Sequence, residues 1–133
     1  MTNYEERRRY KRMGDSFIVT YRFVSPSQVA GISGAGEYSA VVKDVSEGGV
    51  GLNTDIEIPI GVELELKFKI LNEHSPTERD RRREIAVRGE TRHCRLVRKS
   101  DYHVGLLFKN ISDPDREFIA SYVHYQTLAQ YGV

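Results

Sequence analysis

At 133 residues, with 20 Lys plus Arg against 19 Asp plus Glu and a formal net charge of +1, the chain has room for one packed domain and lacks the overall basicity of a duplex-binding protein. A hydrophobic fraction of 39% and a charged fraction of 29% are those of a globular protein; no apolar run is long enough to span a bilayer, and none follows the charged start to act as a secretory signal. A cytoplasmic location is expected, in keeping with a single cysteine, Cys94, which has no partner for an internal disulfide and reads as a small core residue.

The chain opens on a basic cluster, EERRRYKR at residues 5–12, containing Arg7, Arg8, Arg9, Lys11 and Arg12. Arg8 and Arg12 lie four apart, so they share a face on a helical turn and can also converge on one ligand from an extended loop. Guanidinium forks suit phosphate oxygens and the O6/N7 edge of guanine, while the plain alternative is a frayed basic tail. Residues 1–16 are read as an arm and 17–133 as the folded unit. FIVTYRF at 17–23 alternates Phe17, Val19, Tyr21 and Phe23 with polar or β-branched residues, which predicts a strand. A glycine-rich loop is expected at 25–37.

YSAVVKDV and VGLNT flank Gly48 and Gly49, predicting two short strands joined by a tight, glycine-dependent turn. Within DVSEGGVGL, Asp44 and Ser46 are two apart and face the same way in a strand. An ionised Asp is a natural acceptor for the N1–H and N2–H₂ donors of guanine, and Gly48 and Gly49 let backbone approach a ligand closely. The plain reading of the same residues is a strand-to-strand turn organised by Asp and Ser.

VELELKFKI at 62–70 alternates without a break and predicts a strand with one wet face. A charged loop is expected at 72–84, its Arg79, Arg81, Arg82 and Arg83 compensated by Glu78, Asp80 and Glu84. In EIAVRGETRHCRLVRK the apolar parity changes between Ile85/Val87 and Cys94/Leu96, so a bulge is expected, near Gly89. A three-residue loop at Ser100, Asp101 and Tyr102 would set Leu96 opposite Leu106 and Cys94 opposite Phe108. The period then switches to helical over about 113–131, where Asp113 can cap, Pro114 suits the first helical position, and Phe118, Ile119, Tyr122, Val123, Tyr125 and Ala129 form an apolar face. About six strands followed by one amphipathic helix predict a small all-β antiparallel barrel with a terminal helix as lid or plug.

Catalytic and metal chemistry find no support. GISGAG lacks the strand–helix context and the Lys-Ser or Lys-Thr pair of a phosphate loop, and DVSEG has Asp44 where a nucleophile elbow needs glycine. His93 and Cys94 point to opposite faces of a strand, and His74, His103 and His124 have no metal-ligand spacing. An enzyme is not expected.

Taken together, RRRYKR and DVSEGG resemble the two signature motifs of the PilZ domain family, an RxxxR arm and a [DN]xSxxG turn, and the strand pattern, HVGLLF and the closing helix extend that likeness over nearly the whole chain. The resemblance implies a six-stranded barrel that binds the bacterial second messenger cyclic di-GMP, needing no cofactor. It implies that Arg8 and Arg12, with Arg9 available, engage phosphates and guanine edges while Asp44, Ser46, Gly48 and Gly49 line the opposing wall. It further implies a role in motility or biofilm regulation through a downstream effector protein. Two other readings stand beside it: an adaptor of the same fold that binds no nucleotide, and a small-barrel nucleic-acid binder, against which the near-neutral charge and scarce aromatic platform count.

Overall fold

Strict alternation of apolar and polar side chains is what builds the wall of this molecule. The computed structural model describes residues 17–24, 36–78 and 81–130. The arm carrying Arg8, Arg9 and Arg12, and most of the 25–37 loop, lie outside the described residues. Six strands follow in order: β1 (Phe17–Phe23), β2 (Tyr38–Ser46), β3 (Gly49–Thr54), β4 (Glu63–Leu71), β5 (Arg82–Arg98) and β6 (Asp101–Lys109), with one helix after them, α1 (Asp113–Gln130). All neighbours are antiparallel, and the order β1-β2-β3-β6-β5-β4 closes through the pairing of β1 with β4. The all-β barrel with a C-terminal helix is therefore as the sequence predicts.

Burial follows the pleat. Val19, Tyr21 and Phe23 of β1 point into the interior beside Phe68, Leu66 and Leu64 of the neighbouring β4, with Ile70 buried on the same face, while Glu65, Lys67 and Lys69 stay wet. Such closure satisfies the backbone hydrogen bonds of both outer strands and leaves no sheet edge along the paired length. One end is closed by α1: Ile119 and Tyr122 are buried, Tyr122 meets Phe17 edge to face with ring centroids 6.4 Å apart, and the helix touches β2. The other end is filled by Ile58, from the β3–β4 connection, and by Tyr21, whose hydroxyl shares a 2.7 Å hydrogen bond with Thr54.

Several local expectations are corrected. The β5 bulge lies between Thr91 and His93, not at Gly89, and a second irregularity falls between Leu96 and Arg98. Because of that second shift the hairpin turns at Lys99 and Ser100, so Leu96 pairs with Tyr102 and Cys94 with Val104. Ser100 supplies the left-handed φ of +60° that such a turn requires. The charged segment is shorter than 72–84, since β5 begins at Arg82; Arg83 donates at 2.7 Å to Asp115 in the first turn of α1 and not to a loop acid. At the helix start it is Ser112, and not Asp113, that caps: its Oγ accepts from the Asp115 N–H at 3.2 Å, and its carbonyl accepts from Arg116 N–H.

Candidate functional site

Two register shifts create the most functional-looking surface on the barrel. Val42 points inward opposite Leu52, and uninterrupted alternation would send Asp44 inward too. A shift between Val42 and Asp44 instead sets Asp44 opposite Gly51 on the outer face, while Val45 takes the next inward position. Across the sheet, the β5 bulge does the same for His93: buried Thr91 pairs with Leu106, one residue is passed over, and His93 falls opposite Gly105 on the outer face. Asp44 and His93 thereby face each other over strands β3 and β6.

Between them the sheet is stripped of side chains. Gly51 pairs with Gly105, and Gly49 lies two residues before Gly51 on the same face. A methyl group on Gly51 would meet Asp44 Oδ1 at 2.7 Å, so the carboxylate lies across that glycine; a methyl on Gly105 would run into the imidazole of His93. The result is an open groove of ≈ 290 Å³ whose rim carries Asp44, Ser46, Arg92, His93 and His103, with the glycines as its floor and Leu107 as an apolar edge. His93 stacks on His103 with centroids 5.7 Å apart, and His103 is held by a 2.9 Å hydrogen bond from Nδ1 to Asn53 Oδ1. The Asp44 carboxylate makes no hydrogen bond or ion pair among the described residues, a free acceptor set over flat backbone.

Of the residues singled out from sequence, Asp44, Ser46, Gly48 and Gly49 do come together here. Their roles are more varied than expected. Ser46 Oγ accepts from the Gly48 N–H at 3.3 Å, so it organises the turn as well as facing the groove. Gly49 is required by its neighbour: a side chain there would strike the Leu106 carbonyl. Neither Gly48 nor Gly49 adopts a left-handed φ, which among described glycines belongs to Gly61 at +92°, so the turn depends on glycine through close approach and not through backbone conformation. Gly51, Gly105, Arg92, His93 and His103 were not foreseen. The glycines at i and i+2 in GVGL, Gly49 and Gly51, and the lone glycine inside HVGLLF were a signal for them, since a glycine within a strand marks a close approach.

A larger hollow of ≈ 550 Å³ runs over β1, β4 and β5, between Thr20, Arg22, Glu65, Lys67 and Arg88. Its charges are largely spent on one another: Arg22 pairs with Glu37, Arg88 with Glu65, and Lys109 with both Glu63 and Glu90. The hydrogen bond to Glu63 raises the Lys109 pKa above its ordinary value, holding it as an ammonium. The glycine-floored groove, with its free carboxylate, is the stronger candidate. Phe17, where β1 begins, pairs with Val42, two residues from Asp44.

A PilZ domain family model matches residues 6–125. Among solved structures the chain resembles the Bacillus subtilis inhibitor of motility MotI/DgrA (15% identity, TM-score 0.62, 89% of this chain and 52% of that one). It also resembles K. pneumonia MrkH in its complex with c-di-GMP (16%, 0.52, 91% and 55%) and the Borreliella burgdorferi PlzA protein in complex with c-di-GMP (20%, 0.50, 90% and 37%). At these identities the likeness is one of fold, and the chain spans about half or less of each of those proteins. No curated protein matches it. No helix among the described residues is long and apolar enough to cross a membrane.

Proposed function

Because the chain belongs to the PilZ domain family, we propose that it is a receptor for cyclic di-GMP, held between the outer-face groove and the arginine-bearing arm. The observation that carries this reading is Asp44: a carboxylate with no partner among the described residues, lying over Gly51 beside a floor of three glycines. A carboxylate accepts two hydrogen bonds from the N1–H and N2–H₂ edge of one guanine, and a floor with no side chains of its own lets a planar base approach the backbone closely. Ser46 adds a hydroxyl at the same wall.

In this reading Arg8, Arg9 and Arg12 join Arg92 of the rim in supplying guanidinium forks for the two phosphates and for the O6/N7 edges. The reach is sufficient. Arg12 is five residues from Phe17, up to about 17 Å of extended chain, and Arg8 nine residues, up to about 30 Å. Phosphate neutralisation by the arm would order it and cover the ligand, and the altered surface would be read by an effector protein. The protein acts as a cytoplasmic, non-enzymatic receptor whose output lies in motility or surface attachment, in line with the motility inhibitor among its structural neighbours.

Calorimetric titration tests this, with cyclic di-GMP added to the wild type, Arg8→Ala and Asp44→Ala, and with GTP and a short single-stranded DNA as controls. Selective binding of cyclic di-GMP is expected. Asp44→Ala removes charge-assisted hydrogen bonds worth about 1.5–3 kcal/mol, a loss of roughly 10- to 100-fold in affinity. Binding of the DNA with steep salt dependence would favour the nucleic-acid reading, and no binding of any nucleotide would leave an adaptor.

A further inference from the structure

Strand β5 is longer than the barrel needs. It has 17 residues, but β4 pairs with it only from Arg82 to Glu90, and the last contact on that side is Thr91 with Gly61 and Val62. From Arg92 to Arg98 its only strand neighbour is β6, so the opposite edge has no strand partner among the described residues. An otherwise closed barrel thus offers one stretch of free backbone N–H and C=O groups, the feature that strand addition exploits.

The side chains of this stretch are of one kind. Arg92, Arg95, Arg98 and Lys99 stand against Asp101 as the single acid of residues 92–102. Arg92 is drawn toward Glu90 at 3.7 Å and Arg98 toward Asp101 at 3.4 Å, while Arg95 and Lys99 make no ion pair among the described residues. Leu96 and Val97 are 59% and 41% exposed, so the stretch also offers apolar contacts. A second copy of the chain pairing here would bring arginine against arginine, which is destabilising for residues directly opposite. A membrane surface would use the cations and leave the backbone edge unpaired.

We propose that the Arg92–Arg98 edge is a docking strand for an extended acidic segment of another protein, added to the barrel through backbone hydrogen bonds. Asp or Glu at alternate positions of the partner would meet Arg95 and its basic neighbours, with apolar residues between them covering Leu96 or Val97. The proximal end of the same strand, Arg92 and His93, forms the rim of the glycine-floored groove, so the dock and the groove share one rigid element. Docking itself requires no nucleotide, and the proposal stands apart from the ligand assignment.

The test is fluorescence anisotropy of a labelled peptide alternating Glu and Val, titrated with the full chain in the absence of nucleotide. Saturable binding is expected, weakened at least about tenfold by Arg95→Glu and lost when alternate backbone nitrogens of the peptide are methylated. Thermal melts establish that Arg95→Glu is folded, as an exposed charge reversal should be. Equal binding of the methylated peptide, no binding up to about 1 mM, or binding only to phosphatidylglycerol vesicles would overturn the proposal. So would concentration-dependent self-association of the wild type abolished by Arg95→Glu.

Discussion

Asp44 and Gly51 illustrate how one side chain is aimed by another residue's absence. An alanine at Gly51 would place its methyl 2.7 Å from Asp44 Oδ1, and the flexible carboxylate would swing away. Gly51→Ala should therefore weaken cyclic di-GMP binding measurably in calorimetry while shifting the urea midpoint by less than about 1 kcal/mol in free energy. Gly49→Ala should behave in the opposite manner: its methyl meets the Leu106 carbonyl, which belongs to the adjoining strand and cannot step aside, so a loss of about 1–3 kcal/mol in unfolding free energy is expected. Tyr21 makes a further prediction. Burial raises its pKa above the ordinary 10.0. Below that value the phenol is protonated folded and unfolded alike; above it the unfolded state ionises first, so stability falls as pH rises. Tyr21→Phe should flatten that alkaline decline, and at neutral pH should cost about 1 kcal/mol for the bond to Thr54, both read from urea unfolding at a series of pH values.

Among the elements, α1 depends on its first turn. Ser112 caps it, Asp115 accepts from Arg83 on β5, and negative charge at a helix N-terminus opposes the dipole favourably. Ser112→Ala should lower unfolding free energy by about 1 kcal/mol, read from the urea midpoint, with Ser112→Thr retaining most of the stability. The sheet elements depend instead on interruptions. Bulges in β2 and β5 rotate Asp44 and His93 to the outer face while their neighbours Val45 and Thr91 stay buried, so the groove and the core are filled from the same strands. From the Thr91/His93 bulge onward β5 leaves its β4 neighbour and becomes the basic edge with no strand partner among the described residues.

For the molecule as a whole, the described residues form a closed barrel plugged by a helix, and the proposed clamp assigns the response to the arm. A ligand bound only by the folded state adds stability by mass action: at a free concentration a hundredfold above Kd, the gain is about 2.7 kcal/mol. The unfolding free energy should rise by that amount with cyclic di-GMP and stay unchanged with GTP. If the arm closes over the ligand, hydrogen exchange should slow across residues 5–12 on binding while barrel amides such as those of β4 change little. Equal exchange of residues 5–12 in both states would sink the clamp.

The local features of this chain were legible without a structure because they need no partner. The alternations at 17–23 and 62–70 express the pleat of a single strand, the switch after Ser112 expresses the pitch of a single helix, and the paired motifs around Arg8 and Asp44 are strings of neighbouring residues. Register is another matter, since it is a property of two strands at once. The Leu96–Leu106 pairing expected from parity failed because the hairpin turns at Lys99 and Ser100 and because two shifts in β5, at Thr91/His93 and Leu96/Arg98, add up along it. Arg83 likewise found its partner on a helix 32 residues away. The groove required most of all the closing of the barrel: Asp44, Gly51, Gly105 and His93 come from four strands, and only lateral pairing of β2, β3, β6 and β5 sets them side by side. Periodicity along the chain thus determined which residues face inward, while hydrogen bonding across it decided which outward-facing residues meet.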